Sequence, residues 1–376
     1  MKMRLPFCDH HISAFLNSWE ENKPLDLALS QYLRAHKSIG AQDRRTIGEL
    51  LYGMARWKTL IDYLCPSPHP QDRLACFKKI SLEHYSNDPS IPLPVRLAVS
   101  EFLYDRFQAA YGKEQTETLC RILNSPAPTT VRANLIKTSR ESLLERFKAL
   151  EFEATPCEFS PVGIQFKKRV PLFALPEFRE GLFEVQDEGS QLVAACVDAK
   201  PGESVLDFCS GSGGKTLAFA PLMQGKGQIY LHDIRPWTLL EARQRLRRAG
   251  IQNGQMLAPD HKQLKVLKGK MDWVLADVPC TGTGTLRRNP DSKWKIDAPM
   301  LERLIQQQRE IVTEALTYLK PGGRLVYITC SLLPEENEKQ TAHFLARFPL
   351  ALEKTLSLLP KENGMDGFYC AVYRKL

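Results

Sequence analysis

No Cys-x-x-Cys pair occurs in this sequence, although it carries ten cysteines, at positions 8, 65, 76, 120, 157, 196, 209, 280, 330 and 370. Zinc knuckles and iron–sulfur clusters draw their thiolates from such close pairs, and the eight histidines also lack ligand spacing, so no metal is expected. No apolar run approaches the ~18 residues that a membrane span needs, and no membrane partner is expected. The opening stretch Met1 to Asp9 lacks an apolar segment before a small-residue cleavage site, so it does not read as a signal peptide. Scattered thiols without an export signal fit a reducing compartment, the cytoplasm, where each is by default a small buried hydrophobe. Repeats and low-complexity tracts are absent as well.

The chain has 376 residues, 43% hydrophobic and 25% charged, a globular balance with room for two or three domains. Its formal charge is +8, and residues 235–270 hold nine Lys or Arg against two acids, Glu241 and Asp260. A polyanionic partner suits that balance, and a solvated basic helix explains it as well.

Ile47, Leu50, Leu51, Met54, Ile61 and Leu64 recur at helical spacing behind Asp43, which stands where a cap belongs. Prolines at 66, 68, 70, 89, 92 and 94 punctuate short helices such as Val95 to Tyr111, which predicts a helical domain over 1–125. Thr130 to Lys137 alternates like a strand and Ser139 caps a helix to about Leu150, so 126–180 reads as a compact α+β connector. Over 181–376, strand candidates at Ser204–Phe208, Gln228–Asp233, Gln255–Ala258, Asp272–Ala276 and Arg324–Thr329 alternate with helices. That pattern predicts an α/β domain with a doubly wound, mainly parallel, Rossmann-like sheet, which binds ligands at the carboxyl ends of its strands.

The first of those ends carries Asp207-Phe-Cys-Ser-Gly-Ser-Gly-Gly-Lys-Thr216. A phosphate-cradling P-loop needs glycine where Cys209 stands, and a dinucleotide fingerprint starting at Gly211 needs glycine where Thr216 stands. What remains is a close-approach loop with acids at three successive strand ends, Asp207, Asp233 and Asp260. Asp233 suits a ribose diol and Asp260 an adenine amino group. An adenosyl cofactor without a phosphate cradle points to S-adenosylmethionine.

Two further ends carry Asp277-Val-Pro-Cys280-Thr-Gly-Thr-Gly and Thr329-Cys330-Ser331. C5 of cytosine is too weak a nucleophile to take a methyl group unless a thiolate first adds at C6. A carboxyl group near N3, here Asp277, can stabilise the proton and charge that develop there. A second thiol near C5 can act as base or assist release.

The stretches Gln186-Asp-Glu-Gly-Ser-Gln191, Cys209 to Thr216, Asp277 to Gly284, Leu286-Arg-Arg-Asn-Pro-Asp-Ser-Lys-Trp294 and Thr329-Cys-Ser-Leu-Leu-Pro-Glu-Glu-Asn337 resemble the Sun/Fmu-type RNA cytosine-5 methyltransferases. The likeness covers about 125 to 376 and is nearest to members acting on bacterial 16S rRNA, whose N-terminal domain is NusB-like and selects RNA. Tyr32-Leu-Arg-Ala-His-Lys and Gln42-Asp-Arg-Arg resemble that domain more weakly. The resemblance implies that Cys330 is the nucleophile and that Cys280 is needed to release methylated RNA. It also implies that Cys209, Ser210, Gly211, Ser212, Gly213, Gly214, Lys215, Asp233, Asp260 and Asp277 contact the cofactor, with Lys215 and Asp277 approaching the base. The family usually has Ala-Ala-Pro before Gly-Gly-Lys; here Ser210-Gly211-Ser212 stands there and loosens a loop that proline would stiffen.

Arg287, Arg288 and Trp294, with Lys293 and Lys295 nearby, suit phosphate contact and base stacking on single-stranded RNA. Arg243, Arg247 and Arg248 read as a solvated helix face. The expectation is a monomeric RNA methyltransferase with rRNA as substrate. The alternatives are tRNA as substrate and an inactive RNA-binding assembly factor. A DNA cytosine-5 enzyme would have its nucleophile in the Pro-Cys motif, usually followed by Gln, where Thr281 follows here.

Overall fold

The computed structural model describes residues 5–20 and 22–376. They fall into two compact units: a helical one that runs to Pro126 and takes in Thr285–Met300, and an α/β one of Ala127–Gly284 and Leu301–Leu376. The predicted helix Val95 to Tyr111 is two helices, Leu93–Arg96 and Glu101–Tyr111. Ala98 takes a left-handed backbone between them and Ser100 caps the second by accepting from the Leu103 N–H.

The helix Ala41–Arg56 shows how the helical core forms. Ile47, Leu51 and Met54 recur on one face and bury against Ile12, Phe15, Leu25, Leu29 and Leu74. Asp43 is not its cap; it lies inside the first turn, buried, and accepts the Cys8 thiol at 3.8 Å.

The 285–300 segment packs into the helical unit rather than with the large sheet, where the predicted boundary had put it. Trp294 donates its indole N–H to the Ala55 carbonyl at 2.6 Å. Lys293 is buried and gives its three protons to the carbonyls of Arg56 and Ala98 and to Asn124 Oδ1, at 2.8, 2.9 and 2.6 Å. Burial among neutral oxygens pushes its ammonium down to about 7. Arg287 is also buried, and its carbonyl accepts from Arg56. Arg287 and Trp294, predicted as RNA contacts, are therefore turned inward, and Arg288 stays half-buried.

The α/β unit begins with a small antiparallel sheet of β1 (Thr129–Ala133), β2 (Ala154–Pro156), β3 (Gly163–Phe166) and β4 (Phe183–Val185), in the order β2-β3-β1-β4. The helix Arg140–Ala149, capped by Ser139 as predicted, covers it through Leu143 and Phe147. The large sheet comprises β5 (Ser204–Asp207), β6 (Gln228–His232), β7 (Gly254–Leu257), β8 (Met271–Asp277), β9 (Leu319–Thr329), β10 (Leu350–Leu358) and β11 (Phe368–Lys375). Among the described residues its order is β10-β11-β9-β8-β5-β6-β7, parallel from β9 to β7, with β11 and β10 antiparallel at one side.

Alternating residues supply two cores. Val205, Trp273, Leu275, Val326 and Ile328 face one layer; Leu206, Val274, Ala276, Leu325 and Tyr327 face the other. Each buried Val, Leu or Ile among them contributes about 1.5–3 kcal/mol. The strand order reverses at β5, so the crevice beyond its end lies between the β6 side and the β8 side. Register brings Asp207 level with Leu231 and Leu275, and Asp277 level with Ile328.

Candidate active site

The β5 end leads straight into the glycine loop. Asp207 is buried and accepts the Thr216 hydroxyl at 2.7 Å, which ties the strand to the helix after the loop. Its other oxygen, Oδ1, is buried without a partner. Burial pushes the Asp207 carboxyl up to about 7, against the opposing pull of the Thr216 hydrogen bond. Gly211 and Gly213 have φ of +50° and +78°, and a Cβ on Gly213 would meet Leu231 and Leu246 at 3.3 Å.

Asp233, just past β6, closes the loop from the far side. It accepts the Gly211 N–H at 2.8 Å, the Arg235 N–H at 2.9 Å and the Arg235 guanidinium at 3.0 and 3.2 Å. Burial alone would raise its pKa, but these bonds outweigh it and hold the carboxyl below its ordinary value. Asp260 lies on an exposed turn beyond β7, outside the hydrogen-bond network that joins the other acids. Cys209 is half-buried, and burial together with Asp207, Asp277 and Asp233 drives its thiol well up, which keeps it unreactive.

At the β8 end Asp277 forms an ion pair with Lys215 from the glycine loop. Burial works against the Lys215 ammonium, yet Asp277 more than compensates and its pKa is raised. Next to this pair the two cysteines face each other, Cys280 Sγ and Cys330 Sγ being 3.4 Å apart. Hydrogen bonding from Cys280 lowers the Cys330 pKa, helped by Lys215 and opposed by burial and Asp277. The Cys280 pKa is raised well above that of a free thiol, first by the same hydrogen bond and then by burial. Within the pair Cys330 is thereby the more acidic thiol and Cys280 the less acidic one.

A buried polar network fixes both cysteine loops. Glu336 accepts the Thr281 N–H at 3.0 Å, the Thr281 hydroxyl at 2.5 Å and Gln308 Nε2 at 2.9 Å. Gln308 also donates to the Pro279 carbonyl at 3.0 Å, while Tyr327 donates to the Glu336 carbonyl at 2.7 Å. Ser331 lies 3.2 Å from the hydroxyls of Thr281 and Thr283, and the Gly284 N–H donates to the Cys330 carbonyl at 2.9 Å. Sequence reasoning named neither Glu336 nor Gln308 as functional. Glu336 sits within the Pro-Glu-Glu-Asn stretch already quoted, but Gln308 lies in a helix with no local signal.

Residues 194–374 match the family model described as 16S rRNA methyltransferase RsmB/F, and residues 99–172 match its ferredoxin-like domain. A probable ribosomal RNA small subunit methyltransferase B of Synechocystis is 32% identical over 305 residues, covering 76% of this chain and 68% of that one. The ribosomal RNA small subunit methyltransferase B of Pseudomonas syringae is 33% identical over 316 residues, covering 79% and 68%. Among solved structures, a methyltransferase homolog protein from Pyrococcus horikoshii superposes with a TM-score of 0.67 at 29% identity, covering 75% of this chain and 97% of that one. NSun6 from the same organism, solved with SFG, shares the fold with a TM-score of 0.65 at 21% identity, covering 73% and 98%. Among the described residues no helix is long and apolar enough to cross a membrane. The chain belongs to the RsmB/F family of 16S rRNA methyltransferases, and its large sheet is the S-adenosylmethionine-dependent methyltransferase fold.

Proposed function

We propose that this protein forms 5-methylcytosine in 16S rRNA, with Cys330 as the nucleophile and Cys280 as the group that releases the product. The observation that carries this is the Cys280–Cys330 pair, 3.4 Å apart, beside the Lys215–Asp277 ion pair.

The loop fits S-adenosylmethionine by the chemistry of its donors and acceptors. Asp207 offers a buried oxygen without a partner, Gly211 to Lys215 allow close backbone approach, and Asp233 offers a carboxylate to the ribose once Arg235 swings away. Asp260, on its exposed turn, would reach the adenine from the rim. When bound, the cofactor supplies the methyl group.

The protein's own residues do the rest. Cys330, the more acidic thiol of the pair, adds through sulfur to C6, and the displaced electron pair moves toward C5 and N3. A proton held by Lys215 against Asp277 is available to N3, which keeps C5 enamine-like. Once C5 carries the methyl group, Cys330 is a neutral thioether. The hydrogen bond and charge that raised the Cys280 pKa are then gone, so its thiol becomes more acidic, loses its proton to solvent and can take the C5 proton. The C5–H electrons restore the C5–C6 double bond, Cys330 leaves as thiolate and N3 returns its proton to Lys215, so atoms and electrons balance.

In this reading the helical unit is NusB-like and selects RNA, Arg288 contacts phosphate, and Arg287 and Trp294 anchor their own segment. The enzyme acts as a cytoplasmic monomer. Bisulfite sequencing of RNA from cells with and without the gene tests substrate and reaction together. Loss of one 16S rRNA cytosine signal is expected; loss at a tRNA position overturns the substrate, and no change overturns the reaction.

A further inference from the structure

Ser212 stands between glycines, at 211 on one side and at 213 and 214 on the other, in the loop assigned to the cofactor. A segment of that composition has more backbone freedom to lose on ordering than any other. The fold supplies a restraint from outside it. Arg245, on the helix Pro236–Ala249, donates one guanidinium nitrogen to both the Ser212 hydroxyl at 2.6 Å and the Ser212 carbonyl at 3.0 Å.

The guanidinium is itself held. Its other nitrogens reach Glu184 on β4 at 3.1 and 3.3 Å, and the Glu184 side chain is only 5% exposed. The second Glu184 oxygen accepts from Arg248 at 2.6 Å, and Arg248 lies over the Phe178 ring at 4.1 Å. Arg248, predicted to be solvated, is thus half-buried and engaged. A second tether runs alongside. Arg132 on β1, paired in register with Glu184, donates to Gln186 Oε1 at 2.7 Å, and Gln186 Nε2 reaches the Gly214 carbonyl at 3.3 Å.

We propose that the small sheet braces the cofactor loop, with Arg245 and Glu184 as positioning residues that preset Ser212 for S-adenosylmethionine. The proposal rests on the cofactor assignment of the loop. It gives the ferredoxin-like sheet a role in cofactor affinity: an arginine-to-serine bond replaces the stiffness that a proline would bring to this place. Arg245 touches neither reacting atoms nor base in this scheme; it acts through the loop.

The test measures binding of S-adenosylhomocysteine by calorimetry to the full chain, its Arg245→Met and Ser212→Ala variants, and the double variant. Each single change is expected to raise Kd by ~5- to 20-fold, a fraction of the worth of one charge-assisted hydrogen bond, because the tether acts on the ligand only through the loop. The double variant is expected to bind no more than about twofold worse than the weaker single, because Arg245→Met already removes the bond that Ser212→Ala breaks. Hydrogen exchange should speed up in 209–215 and stay unchanged in β5. Kd values within twofold of wild type, or a double variant equal to the product of the singles, overturn the brace. Should Arg245→Met fail to fold, Ser212→Ala with its exchange pattern decides alone. Failure of the wild type to bind overturns the cofactor assignment instead.

Discussion

Replacing Asp207 with asparagine changes how stability depends on pH, by an amount that can be worked out from the site. The carboxyl stands at about 7 in the folded protein against an ordinary 3.8, because it is buried at the β5 end. Between those values the folded state holds a proton that the unfolded chain has lost. Stability from this group is therefore present at low pH and falls as pH rises through the folded pKa. The linkage relation gives about 2.5 kcal/mol at pH ~5, nearly all of it gone by pH ~8. Asparagine keeps an oxygen for the Thr216 hydroxyl and places an amide where Oδ1 has no partner, a cost that does not vary with pH. Urea unfolding of wild type and Asp207→Asn over this range, with β5 followed by pulsed hydrogen exchange, reads the difference directly. The gap should narrow by about 2.5 kcal/mol from the acid to the alkaline end. Parallel curves would refute the raised carboxyl and the dry environment from which it follows.

Three further outcomes are expected. In Cys280→Ala the Cys330 thiol loses its hydrogen-bond donor, so its alkylation by iodoacetamide, followed by mass spectrometry, should shift to higher pH; an unchanged profile contradicts the proton sharing. Lys215→Met removes the cation beside Cys330 and the proton source for N3, and should lower kcat by ~10²- to 10⁴-fold in single-turnover methyl transfer; a loss under tenfold would exclude it as proton source. Lys293 in the helical unit stands at about 7 against 10.5, so the unfolded chain binds more protons and stability rises with pH above 7. Relative to Lys293→Met, the wild-type helical unit should gain about 2 kcal/mol between pH ~7 and ~9 by hydrogen exchange, and a flat difference refutes the buried ammonium.

The parallel strands were legible because burial on both faces writes them as continuous apolar runs. Val205–Leu206 and Trp273 to Ala276 need no partner to be recognised. β10 was missed, since Glu353, Lys354 and Thr355 interrupt its apolar residues and its edge position leaves them exposed. Cys280 and Cys330 were legible from their place after strands. Their closeness depends on Glu336 and Gln308, which hold the Cys280 loop at Thr281 and Pro279 from 56 and 28 residues past Cys280. Basic residues misled for a related reason. Charge in a sequence reads as surface, yet Arg287 is buried, and Arg245 is spent on Ser212 and Glu184. Whether a guanidinium faces water or a carboxylate 61 residues away is a property of the fold, not of its neighbours in the chain.

The division of labour between the two thiols decides which of them stays bonded to RNA. Cys280→Ala and Cys330→Ala, each incubated with 16S rRNA and S-adenosylmethionine, are resolved on a denaturing gel for protein covalently joined to RNA. An adduct that accumulates with Cys280→Ala and is absent with Cys330→Ala is the expected result. The reverse pattern would make the Pro-Cys residue the nucleophile and contradict the account.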